Sequence, residues 1–215
     1  MKKILILNTI IMTSTILFAS KSPGEKSGET VAHTGKESRY VTRASDAAII
    51  WKGWKIIGGS HTGTMTLKEN VLEFVGKELV GGSFTIDMNA MTTTDLSGSS
   101  AEKLIRHLKS DDFFGVATYP TSTFVITEVK KGTEPGEYQV TGDLTVKSTT
   151  LPISFPMRME WDENQATAKA SISVNRADFN VRFGSGRFFD GLGNSAISDE
   201  FLLDVSLVTN VGNID

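Results

Sequence analysis

The amino-acid sequence predicts an all-β domain of about eight antiparallel strands with a short amphipathic helix laid against them. Three observations predict it. From Tyr40 onward apolar side chains recur at every second position, the period of a strand with one buried face. Twenty glycines stand against five prolines amid many serines and threonines, a balance that suits strands joined by tight turns. Around residues 99 to 109 the pattern changes to a helical period.

The chain has 215 residues, enough for one domain with a tail, and its 39% hydrophobic and 22% charged content is that of an ordinary globular protein. With no cysteine, disulfides, thiolate metal sites and cysteine nucleophiles are excluded. Three histidines leave little for a metal, so neither metal nor cofactor is expected. A formal net charge of −3 argues against nucleic acid as a partner, because phosphate binding needs a cationic surface.

Residues 1–20 have the form of a signal peptide: Lys2 and Lys3, a mostly apolar stretch from Ile4 to Phe18, then the small residues Ala19 and Ser20. Asn8, Thr9, Thr13, Ser14 and Thr15 interrupt the stretch, and it falls short of the roughly 20 apolar residues of a spanning helix, so cleavage is expected over anchoring. The expected product is a bacterial protein of the periplasm or the exterior that does not span the membrane. Losing Lys2 and Lys3 would leave 20 basic residues against 25 acidic ones. Residues 21–39 hold one valine, one alanine and no larger apolar side chain. That cannot offset the entropy of ordering, so the segment is expected to be a flexible polar linker ahead of a domain at 40–215.

Candidate strands then follow in order. Segments 46–57, 61–67 and 71–76 alternate weakly. Phe84, Ile86 and Met88 alternate with Thr85 and Asp87. After the helical stretch and a weak candidate at 121–129, the clearest runs are Tyr138, Val140, Gly142, Leu144 and Val146, and then Ile153, Phe155, Met157, Met159 and Trp161. Ala168, Ala170, Ile172 and Val174 form another, and Phe201, Leu203, Val205 and Leu207 the last. In the helical stretch, Ser99 and Glu102 have the spacing of a capping box, and Ala101, Leu104, Ile105 and Leu108 share one face. Lys103, Arg106, His107 and Lys109 occupy the other, which is expected to be solvated. One-sided strands must close or pair so that their apolar faces meet, as a barrel or as a sandwich; alternation does not separate the two.

Catalytic motifs are sparse. Gly191, Gly193 and Ala196 reproduce G-x-G-x-x-A, but no apolar strand precedes them and no helix follows, so a pyrophosphate would have no helix N-terminus to sit on. Gly184, Gly186, Gly191 and Gly193 instead predict a flexible loop around Phe188, Phe189 and Leu192 that could cover a barrel mouth. His61, at a strand edge, and His107, on the polar helix face, are the available bases, and neither lies in a nucleophile elbow. Asp87, Asp95, Asp143, Asp178 and Asp190 have no spacing that forces two carboxylates together. No catalytic residue is assigned. An enzyme would need His61 as acid or base near Asp87 or Asp178; a third reading is a protein-docking module of the cell envelope acting through the aromatic loop.

Several blocks, taken together, resemble the YceI-like family of exported bacterial lipid-binding proteins. They are Gly58–Gly63 (GGSHTG), Gly81–Asp87 (GGSFTID), Leu104–Phe114 (LIRHLKSDDFF), Tyr119–Phe124 (YPTSTF), Tyr138–Lys147 (YQVTGDLTVK) and Asn175–Phe179 (NRADF), in the family order, over about residues 40–209. The resemblance implies a lipocalin-like antiparallel barrel flanked by one or two short helices. It also implies a long apolar tunnel for a polyisoprenoid, an isoprenoid quinone or a fatty-acid derivative, and no catalytic motif. Ser148, Thr149 and Thr150 stand where members often carry a Gly-bearing turn. A buried methylene contributes roughly 0.8 kcal/mol, so a five-carbon isoprene unit contributes about 4 kcal/mol before ordering costs. On strand parity the expected wall is Trp51, Phe84, Ile86, Phe124, Val140, Leu144, Phe155, Met157, Phe179 and Phe183, with Phe188, Phe189 and Leu192 as a lid. A homodimer is compatible with the sequence but not required by it.

Overall fold

The computed structural model describes residues 37–40, 47–162 and 165–210. The strands are β1 (Glu37–Tyr40), β2 (Ala47–Trp54), β3 (Ser60–Val75), β4 (Glu78–Asp87), β5 (Thr121–Lys131), β6 (Glu137–Val146), β7 (Thr149–Asp162), β8 (Gln165–Asn175) and β9 (Glu200–Asn210). The helix α1 (Gly98–Lys109) lies between β4 and β5. From β2 to β9 each strand pairs antiparallel with the next, and β9 returns to β2. The fold is therefore an up-and-down barrel of eight strands, closed on itself. Closure decides for the barrel over the sandwich and removes the exposed edges that invite aggregation.

β3 is the longest strand, with 16 residues. Ser60–Met65 pairs with β2, and Thr66–Val75 pairs with β4. A bulge between Leu67 and Glu69 bends it and resets which residues face inward. Past the end of β2, the free edge of β3 at Leu72–Val75 takes up β1. Ordered pairing thus begins at Glu37, inside the stretch expected to be a flexible linker through 39, because ladder hydrogen bonds hold a polar segment that has no apolar side chains to bury. The rest of that segment and residues 1–20, expected to be a signal peptide, lie outside the described residues.

α1 starts two residues earlier than the capping-box pattern implies. Ser97 occupies the N-cap position, no side-chain hydrogen bond caps the helix, and Ser99 and Glu102 both lie within it. Leu104, Ile105 and Leu108 pack on the core. The face expected to be solvated is partly engaged: Lys109 Nζ donates to the carbonyl oxygen of Asn89 at 2.7 Å. The His107 ring stands edge-on to Phe113 and Phe183, with centroids 5.0 and 4.4 Å apart. In the tight turn from β6 to β7, where glycine is expected, Lys147 takes a left-handed φ of 55°.

In an up-and-down barrel alternate connections share an end. The short turns β3–β4, β5–β6 and β7–β8 lie at one end, and the long connections 88–120 and 176–199 lie at the other. The short-turn end is packed shut. Leu72, Phe74, Leu79, Met159 and Ala166 are all buried there, and Phe74 meets Trp161 edge-to-face at 5.3 Å.

A candidate ligand cavity and its mouth

Midway along the barrel all eight closed strands contribute to an apolar cavity of about 80 Å³. Seven expected wall residues border it: Phe84 and Ile86 on β4, Phe124 on β5, Val140 and Leu144 on β6, Phe155 and Met157 on β7. The rings of Phe84 and Phe124 stack with centroids 6.3 Å apart, and Phe124 meets Phe155 at 5.4 Å. Four strands round the ring, β8 faces β4 with Ala168 and Ala170. Large rings on one wall and small side chains on the other leave the axis unfilled. Phe84, Ile126, Ile153, Ala170, Ile172 and Val205 point inward yet keep part of their surface accessible.

Toward the end with the long connections, the inward positions step from Ile49 to Trp51, from Leu67 to Met65 and from Leu203 to Phe201. There a second cavity of about 530 Å³, which shares no wall residue with the central one, is roofed by Leu104 and Leu108 of α1 and by Met91, Phe113 and Phe114. Trp51, an expected wall residue, stands at this mouth. Its Nε1–H donates to the carbonyl oxygen of Thr92 at 2.9 Å. The segment 91–95 can lie this close to β3 because position 63 is glycine: a Cβ there would stand 1.9 Å from the Thr92 oxygen and 2.7 Å from the Trp51 indole. Across the strand wall, a wider groove of about 730 Å³ with Arg158, Lys169 and Asp204 on its walls is open to solvent, and Met157, Lys169, Ala170 and Val205 border both it and the central cavity.

The remaining expected residues lie elsewhere. Phe179 is 2% exposed but borders neither space; it is core. Phe183 packs on His107 and Phe113 and is 40% exposed. Phe188 lies under the guanidinium groups of Arg182 and Arg187, at 4.9 and 5.9 Å, and Phe189 is exposed. Leu192 is half-buried at the start of a short turn, Gly193–Ser195. None of Phe188, Phe189 and Leu192 borders the mouth; from this connection Arg176, Asn194, Ile197 and Ser198 reach it.

Sequence reasoning gave Arg176 no role. It is 4% exposed, and its guanidinium donates to four backbone carbonyl oxygens, those of Ser198, Val181, Phe183 and Ile197, at 2.8–3.1 Å. Burial pulls its pKa below the usual guanidinium value, with Asp199 at 3.3 Å opposing that shift. The fork pins both ends of the 176–199 connection beside the mouth. A lone Arg between a strand and a glycine-rich loop was the only available signal.

The carboxylate beside His61 is Asp95, not Asp87 or Asp178. His61 Nδ1 lies 2.7 Å from Asp95 Oδ2. Asp87 accepts from the backbone N–H of Asn89 at 2.9 Å, and Asp178 pairs with Arg187. Asp95 Oδ1 accepts from the Thr62 N–H at 3.0 Å and from Thr93 Oγ1 at 2.8 Å. Slight burial would raise the Asp95 pKa, but the hydrogen bonds from Thr62, His61 and Thr93 outweigh it and hold the carboxyl down to about 2. Among the described residues no three His, Asp or Glu side chains gather to hold a metal ion.

A model of the YceI-like domain matches residues 40–209. The chain belongs to the YceI-like family. Protein YceI of Escherichia coli O157:H7 is 31% identical over 116 residues, which is 47% of this chain and 59% of that protein. Protein YceI of Shigella flexneri is 30% identical over the same length and shares. This chain therefore aligns with about three-fifths of the length of those curated relatives. Among solved structures, BcnA of Burkholderia cenocepacia superposes with a TM-score of 0.63 at 20% identity, covering 78% of this chain and 98% of BcnA. A polyisoprenoid binding domain from Saccharophagus degradans gives a TM-score of 0.61 at 15% identity, covering 80% of this chain and 98% of that domain. These neighbours share the fold, a lipocalin-like closed barrel with one helix.

Proposed function

We propose that the protein binds and shields an extended apolar lipid, a polyisoprenoid, an isoprenoid quinone or a fatty-acid derivative, inside the barrel, and that it does so as an exported carrier without catalysis. The observation that carries this reading is the apolar inner face of the barrel, which borders the central cavity and then, one step further toward the long connections, the mouth beneath α1. The polyisoprenoid-binding description of the Saccharophagus degradans neighbour supports it, as does the leader-like segment at residues 1–20.

The dimensions support a route of entry. Sites for small ligands hold about 300–1,000 Å³. The mouth, at about 530 Å³, is in that range, and the central cavity, at about 80 Å³, is not. A chain therefore seats first under α1, and deeper passage needs rotation of the rings of Phe84, Phe124 and Phe155. Each isoprene unit that passes contributes about 4 kcal/mol before ordering costs, enough to drive such rotations.

Native mass spectrometry of the protein purified from its own host tests the reading. The expected result is a mass increment equal to one lipid, removed by organic extraction and restored by long-chain lipid. A ligand-free mass together with no uptake of long-chain lipids overturns it.

A further inference from the structure

Up to the bulge, inward-facing positions along β3 run Leu67, Met65, Gly63 and His61 toward the mouth. His61 is the polar end of an apolar column, and its side chain borders the mouth at 44% exposure. Its register partner on β2 is Gly53. A side chain at Gly53 would meet nothing within 4 Å, so an open notch lies beside the imidazole at the point where the lumen reaches solvent.

The pair with Asp95 fixes which ring nitrogen is available. An ionised carboxylate only accepts hydrogen bonds, so the nitrogen facing it, Nδ1 at 2.7 Å, carries the hydrogen. In the neutral imidazole the other nitrogen, Nε2, is a bare acceptor, and it has no partner among the described residues. Asp95 is itself held by Thr62 and Thr93, so it acts as a positioning residue that presets the tautomer.

We propose that His61 Nε2, in the notch at Gly53, accepts a hydrogen bond from the hydroxyl headgroup of the lipid whose chain fills the lumen. The inference rests on the lipid-binding reading above and names the headgroup class: a long-chain alcohol or a quinol, in preference to an ether or a quinone, which offer no donor. The other polar groups at the mouth agree. Arg176 is committed to backbone carbonyls, and Lys55, Asn194 and Glu200 are exposed rim residues of mixed charge that form no cationic pocket for a phosphate.

The test compares geranylgeraniol with its methyl ether, equal in chain and differing in the O–H donor. Binding to the full chain is followed by tryptophan quenching. The expected result is about threefold to tenfold tighter binding of the alcohol, a ratio that falls to one in His61→Ala and in Gly53→Val. On the unmutated protein, the ¹⁵N resonance of His61 Nε2 should move with the alcohol and not with the ether. Equal binding of both probes by the unmutated protein, or a preference that survives in both variants, overturns the headgroup assignment and leaves the lumen reading standing. No saturable binding of either probe overturns both.

Discussion

Ala170 faces the lumen from β8 with its side chain partly accessible, opposite the aromatic wall of β4 and β5. A phenyl group placed there fills space that the fold leaves empty, so Ala170→Phe should block lipid uptake. It should also change stability by less than about 1.5 kcal/mol, since filling a void offsets the crowding. Lipid binding and urea unfolding measured on the same sample check both halves. At Asp95 the folded-state pKa of about 2 lies below the ordinary 3.8. The ionised form is the one the fold favours, so its contribution is complete above pH ~4 and disappears as the pH falls toward 2. Asp95→Asn should therefore be less stable than the unmutated protein at neutral pH, with the gap closing between about pH 4 and pH 2 in a series of urea titrations.

At the scale of elements, the connection 176–199 has little regular structure of its own, and Arg176 is the side chain that ties its two ends together. Arg176→Met would leave four carbonyls short of a donor and Asp199 without its cation, at a cost of about 3 kcal/mol or more. Arg176→Lys should restore only part of this, because one ammonium cannot serve four acceptors fanned around a planar fork. Urea unfolding gives the loss, and amide hydrogen exchange should show the change concentrated at residues 181–198. Most strands were legible in the sequence because each has one buried face, and period two follows directly from that. β3 appeared as two weak pieces because its bulge switches the inward set from Met65 and Leu67 to Asn70, Leu72 and Phe74. A break of phase looks like a break of strand. The capping box at Ser99 misled because spacing alone does not show which residue turns into the helix.

For the molecule as a whole, parity along each strand was enough to find the seven residues around the central cavity. It failed for Phe179, Phe183, Phe188 and Phe189, which belong to connections with no period to follow. Their places are set by partners distant in sequence or of another type, as when Arg182 and Arg187 take up Phe188. His61 and Asp95 are 34 residues apart, and only the approach of segment 91–95 to β3 across Gly63 brings them together. Alternation by itself left barrel and sandwich open; the family resemblance implied the barrel, and the pairing of β9 with β2 closes it.

A pouch with one opening cannot work as a pipe. On the proposed reading, cargo that enters beneath α1 leaves by the same door, so a donor and an acceptor would not hold the protein from opposite sides and pass a chain through it. Delivery would then proceed by successive visits, with the loaded protein letting go of one surface before it meets the next.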